Sequence, residues 1–180
     1  MDGNRTHIRR AGFGAALIAL TLVTTSAGAA TVEAVDGLAF RVLQCAPTSA
    51  AYTFPSTVTG HCEGTATWQG SWTGEAIYDA LGKVDLVTGD ATGTVSLDFN
   101  GIAMRNTNPN DRHSGQLHMT GTFKIIGATG EETATLTIIS GTENFAGAKG
   151  TAVFDAFNVY TSGGPATGSF SGSWTHPAFA

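Results

Sequence analysis

Apolar and polar residues alternate with a period of two along most of this chain. In residues 64–81 the even positions carry Ala66, Trp68, Gly70, Trp72, Gly74, Ala76 and Tyr78. The odd positions carry Thr65, Thr67, Gln69, Ser71, Thr73 and Glu75. Successive side chains of a strand point to opposite faces, so the aromatic set shares one face and the polar set the other. Residues 115–126 repeat the pattern, with Leu117, Met119, Gly121, Phe123 and Ile125 on one side and His118 on the other. Residues 168–176 repeat it again, placing Phe170, Gly172, Trp174 and His176 on one face. Shorter β-prone runs lie at 39–44, 84–88, 93–99, 133–140 and 151–160, and no long helical period is present. Many short strands separated by turn residues predict an all-β fold: a closed antiparallel barrel of about eight strands, with a β-sandwich as the alternative.

Glycine, proline and polar clusters mark the expected connections. These are residues 46–56 with Pro47 and Pro55, a turn at 82–83, another at 89–92, a hairpin turn at 127–130 and a stop at 163–165. Residues 100–114 read as the longest polar connection. The stretch 168–175 echoes 66–73, which suits first and last strands that meet to close a barrel. Within the barrel, Trp68 and Trp72 read first as core fillers and second as the lining of a cavity, with Tyr78 and Trp174 on the same inward faces. Alternation with Val153 and Phe157 would turn Asp155 inward. Phe154 and Ala156 make the opposite face nearly as apolar and leave that orientation open.

The most patterned stretch is the corner at 136–160. A β-rich run enters Gly141, Gly147 and Gly150, Phe145 is the one large apolar residue in the loop, and a second β-rich run leaves. This reads as a hairpin whose Phe145 tucks under to plug one end of the core. Residues 138–150, Ile-Ile-Ser-Gly-Thr-Glu-Asn-Phe-Ala-Gly-Ala-Lys-Gly, resemble the glycine-rich corner of allene oxide cyclase and dirigent proteins. That resemblance implies an eight-stranded antiparallel barrel, often trimeric, with an apolar cavity. Ser140 and Glu143 stand where that pattern usually has glycine, and no catalytic residue of those families has a match here. The closing Gly-Ser-Phe-Ser-Gly-Ser-Trp-Thr-His-Pro resembles small secreted actinobacterial proteins of unassigned function.

Residues 1–29 read as a secretory signal peptide. Arg5, Arg9 and Arg10 precede an apolar run at 11–23, and Ala27-Gly28-Ala29 fits a cleavage site. The run is too short to span a membrane. The expected mature unit is one domain, 30–180, secreted to the cell exterior. Removing the leader takes three of the nine basic and one of the fourteen acidic residues, which leaves a net charge of −7. The lack of a basic run argues against nucleic acid and anionic membranes as partners. In an exported chain the two cysteines, Cys45 and Cys62, read as one disulfide, worth roughly 3 kcal/mol in the loop-entropy account.

No G-x-S-x-G elbow, H-E-x-x-H, P-loop or dinucleotide fingerprint is present, so neither cofactor nor metal is expected. Asn106, Asn108 and Asn110 are spaced like a calcium loop, but Pro109 and the lack of a following glycine and distal glutamate argue against one. Asp111 and His113 have the chemistry of an acid–base pair and read first as part of a solvated loop. His61, beside Cys62, reads as a surface residue. The functional expectation is a secreted barrel that binds a small apolar molecule or a protein partner, with Trp68, Trp72, Tyr78, Trp174 and Asp155 as candidate ligand contacts. The alternatives are an isomerase or cyclase acting in an apolar cavity and a structural protein with a packed barrel. A homo-oligomer, by the resemblance a trimer, is the expected assembly. The contents of the barrel interior discriminate among these readings.

Overall fold

The computed structural model describes residues 32–48, 57–105, 108–157 and 166–176. They form eight strands: β1 (Val32–Pro47), β2 (Thr57–Gly70), β3 (Trp72–Asp85), β4 (Ala91–Arg105), β5 (Asn108–Ile126), β6 (Glu131–Glu143), β7 (Lys149–Phe157) and β8 (Ala166–Thr175). Each strand pairs antiparallel with its neighbour in sequence. β1 also pairs antiparallel with β8, which closes one continuous sheet into a barrel. This is the closed antiparallel barrel that the alternation predicts, not two stacked sheets. The predicted leader at 1–29 and the stop at 163–165 lie outside the described residues.

The inward faces follow the period-two reading. Trp68, Trp72, Tyr78, Leu97, Phe99, Leu117, Met119, Phe154, Phe170 and Trp174 are all buried. The long segment 64–81 is two strands rather than one. The chain reverses at Ser71, whose backbone N–H and hydroxyl both donate to the carbonyl of Asp36 on β1. A one-residue connection preserves parity, so Trp68 and Trp72 both stay inside, stacked with ring centroids 5.8 Å apart.

Two expected connections are strand instead, and a third starts later than expected. β3 runs through residues 82–83, and the turn falls at 86–90. Gly82 pairs with Gly93 on β4, and the ring of Phe123 lies over both. A Cβ at either glycine would come within 2.6 Å of that ring. These glycines are packing sites for an aromatic, not turn residues. The supposed polar connection 100–114 is the paired β4–β5 hairpin, with Asn100 opposite Gln116 and Ala103 opposite His113. Part of its polarity is the water-facing outer face of the hairpin, and part is an inward set, Arg105, Asp111 and His113, on the same side as Ala103. The connection 46–56 is entered later than expected, because β1 extends to Pro47.

The glycine corner behaves as read. Phe145 is fully buried, edge-on to Trp174 with centroids 5.5 Å apart, and Gly115 lies so close beneath it that a Cβ would meet the ring at 2.8 Å. The two echoing segments do not themselves form the seam, which joins β1 to β8. Trp72 and Trp174 nevertheless meet inside, T-shaped, at 5.2 Å. Cys45 and Cys62 face each other across β1 and β2 and are bridged. Replacing both with serine should lower the free energy of unfolding by about 2–4 kcal/mol, read as the urea midpoint of the oxidised protein. An unchanged midpoint would mean that strand pairing alone already holds this hairpin.

Candidate functional site

The barrel interior is polar at both ends and aromatic between them. At the end where β1 finishes and β6 starts, Arg41 and Glu132 project inward from opposite walls. Arg41 is flanked across the strands by Ala66 and Ala166, and Glu132 by Ala156 and Ile125. Small neighbours beside long side chains are how a narrow barrel accommodates them. Arg41 Nη1 donates to Glu132 Oε1 at 2.7 Å, and Nη2 donates to Oε2, so the pair is bidentate. The two side chains are 5% and 4% exposed. The guanidinium carbon lies 5.6 Å from the ring centroid of Tyr78 and 5.2 Å from that of Phe154.

Several polar atoms around this pair are buried without a hydrogen-bond partner among the described residues: Arg41 Nε, Tyr78 Oη, Trp68 Nε1 and, farther up, Trp72 Nε1. Burial pushes the Tyr78 phenol well above the ordinary tyrosine range, and the neighbouring Arg41 charge only partly offsets this. Tyr78 is therefore a neutral hydroxyl at any physiological pH. The Trp68 indole, within hydrogen-bonding influence of the Tyr78 oxygen, works in the same lowering direction as Arg41. A buried polar group left unsatisfied costs about 1–3 kcal/mol, so a cluster of them is unusual in a core that serves only stability.

The other end carries a separate network. Arg105 Nε lies 3.4 Å from Glu33 Oε1 and 3.6 Å from Asp111 Oδ2, and Asp111 Oδ1 is 2.8 Å from His113 Nε2. The expected acid–base pair thus exists, on the inward side of β5 and not on a solvated loop. His176 completes the group. It is fully buried, with its ring centroid 4.9 Å from Trp174, 5.6 Å from Phe145 and 5.6 Å from His113. Burial holds its pKa below the ordinary histidine range. A backbone hydrogen bond at Asn144 works the other way, and the nearby His113 charge adds to the lowering.

Between the two ends the barrel is filled. Trp68 stacks on Phe170 at 4.5 Å and tilts against Phe99 at 5.6 Å, and Trp72 contacts Phe99 and Trp174. Of the sequence candidates, Trp68, Trp72, Tyr78 and Trp174 converge in this interior. Asp155 does not. Phe154 and Ala156 take the inward positions, and Asp155 sits on the outer face, where it accepts a hydrogen bond from Thr133 at 2.9 Å. The inward face is set by the register with β6, which places Phe154 opposite Ala134 and Ala156 opposite Glu132. His118 is also outward, as expected, bonded to Asp98 at 2.7 Å. His61 lies on the outer face with Glu63 and Asp79, their ligating atoms within 4.8 Å of one another.

The comparisons speak to architecture. The fold is similar to the crystal structure of a protein of unknown function from the DUF3224 family of Shewanella oneidensis MR-1. That match has a TM-score of 0.57 at 13% identity and covers 81% of this chain and 98% of the other. No family model and no curated protein matches the chain in sequence. A likeness at this identity is one of fold alone.

Sequence reading misses Arg41 and Glu132. A signal exists for Glu132, which shares parity with Ala134, Leu136 and Ile138, so an inward β6 carries an inward charge. Arg41 is masked by Leu38, Phe40 and Val42, which make the outer face of β1 the more apolar one.

Two outcomes check this description. Glu132→Gln removes one charge of a buried pair and should cost about 3–5 kcal/mol, whereas Arg41→Met with Glu132→Leu should be close to neutral or stabilising. Urea unfolding of the three proteins reads both, and a neutral single variant would refute the buried ion pair. His176 has a folded-state pKa below its unfolded value, so the unfolded chain binds more protons. The stability His176 contributes is complete above about pH 6.5 and is lost as pH falls from there through the folded-state pKa. The unfolding midpoint should drop over that window in the wild type, and His176→Phe should flatten the drop.

Proposed function

We propose that this protein is an exported barrel that binds a small, largely apolar molecule in its interior, at the end marked by Arg41, Glu132, Tyr78 and Trp68, without transforming it. The observation that carries this reading is the set of unpartnered polar atoms inside an otherwise apolar barrel. Ligand sites combine mostly apolar walls with a few convergent polar groups. Donors left unsatisfied in the free protein are the ones a ligand can satisfy. The disulfide and the leader-like first residues support export, since such bridges persist in oxidising compartments.

The cyclase reading suggested by the 138–150 corner draws on the same inward carboxylate, arginine and tyrosine. It is the weaker one, because both Glu132 oxygens are engaged by Arg41 and Tyr78 is held protonated, which leaves neither as a ready base. The structural reading draws on the packed aromatic middle, but it gives no role to the unsatisfied donors.

Native mass spectrometry of the protein purified from culture supernatant without detergent tests the proposal. The expected result is a bound mass that is released on denaturation and absent from the Arg41→Met, Glu132→Leu protein. If both proteins fly empty and neither gains thermal stability with a panel of apolar compounds, the structural reading replaces this one.

A further inference from the structure

We infer that the molecule held at this end is a neutral compound anchored through one carbonyl-type oxygen, which accepts hydrogen bonds from Tyr78 Oη–H and Arg41 Nε–H. This rests on the binding reading above and specifies its chemistry. Three observations lead to it.

The first is charge. The Arg41 guanidinium is already neutralised by a bidentate carboxylate, and both groups are almost wholly buried. A ligand carboxylate would place a second negative charge beside Glu132 and leave a net buried charge, which low-dielectric surroundings penalise heavily. A ligand cation would meet the guanidinium with the same result. Neutral ligands avoid both penalties.

The second is the balance of donors and acceptors. Arg41 has no acceptor atom, and its Nε–H is among the donors that Glu132 leaves unused. Tyr78 is fixed as a hydroxyl. The Arg41 Nε–H and the Tyr78 hydroxyl are two such donors, on side chains whose guanidinium carbon and ring centroid are 5.6 Å apart. A carbonyl oxygen offers two lone pairs and no hydrogen, so it satisfies both donors without bringing a donor of its own.

The third is the wall around them. Phe154, Ala66, Ala156 and Trp68 surround the polar atoms with apolar surface and small side chains. That wall suits a hydrocarbon body rather than a polyhydroxylated one, whose extra hydroxyls would be buried without partners.

The test is displacement of the neutral apolar dye N-phenylnaphthylamine from the intact mature protein by methyl hexyl ketone, octane and octanoate. These probes share a chain length and differ in the head group. In the wild type the ketone should bind roughly tenfold or more tighter than octane, the gain from hydrogen bonds one of which has a charged donor. Octanoate should be weakest. In Tyr78→Phe, which keeps the ring and removes only the hydroxyl, the ketone advantage should fall by roughly threefold or more, the charged Arg41 bond remaining, while octane affinity stays the same. The free Tyr78→Phe protein should unfold at a urea midpoint equal to or above that of the wild type, because it loses a buried group that had no partner. Equal affinities for ketone and octane would overturn the carbonyl inference while leaving the binding reading standing. So would a preference for octanoate, or a ketone advantage unchanged in Tyr78→Phe. If neither the dye nor any probe binds the wild type, the binding reading itself fails.

Discussion

Closure of the barrel is the constraint on which everything else in this structure depends. β1 is paired on both edges, with β2 and with β8, so no strand among the described residues presents an open edge. Eight strands enclose a space only wide enough for side chains or one small ligand. Each inward residue must then fit against residues on the far wall as well as on its own strand. Bulky rings and glycines consequently occur together: Phe123 lies over Gly82 and Gly93, and Phe145 over Gly115. The outward residues carry no such restriction, and for that reason threonine and serine dominate the outer face while exposed Ile77, Val42 and Leu38 are tolerated there.

The interior is graded along the barrel axis. The aromatic middle, from Trp68 and Phe170 to Trp174 and Phe145, supplies the apolar burial that a chain of this size needs. Each end carries charge that has been removed from water. At one end Arg105, Glu33, Asp111, His113 and His176 form a mixed network. At the other, Arg41 and Glu132 form a tight isolated pair. A buried pair of this kind contributes little net stability compared with an apolar substitute.

Much of the architecture is legible in the sequence, because a period of two is a local property. Which of Trp68, Trp72, Tyr78, Phe170 and Trp174 face inward follows from alternation alone, and the hairpin at 127–130 and the Phe145 plug follow from glycine placement. The disulfide follows from there being just two cysteines in a chain that reads as exported. The site is less legible. At 82–83 and 100–114 glycine and polar residues resemble turn signals, whereas glycine there makes room for a ring and the polar residues lie on a paired hairpin.

What the sequence determined by itself was therefore the class of fold and the inward aromatic set, which rest on spacing along the chain, and the covalent bridge, which rests on there being two cysteines in a chain that reads as exported. What only the tertiary structure decided was the partner of each inward residue. Arg41 and Glu132 lie 91 positions apart, and their union depends on how β1 and β6 face one another once the sheet has closed. The same closure sets the register that turns Asp155 outward and brings Asp111, His113 and His176 together. Local periodicity gives a strand its two faces. The shear of a closed barrel, a property of all eight strands at once, decides which side chains meet across its interior.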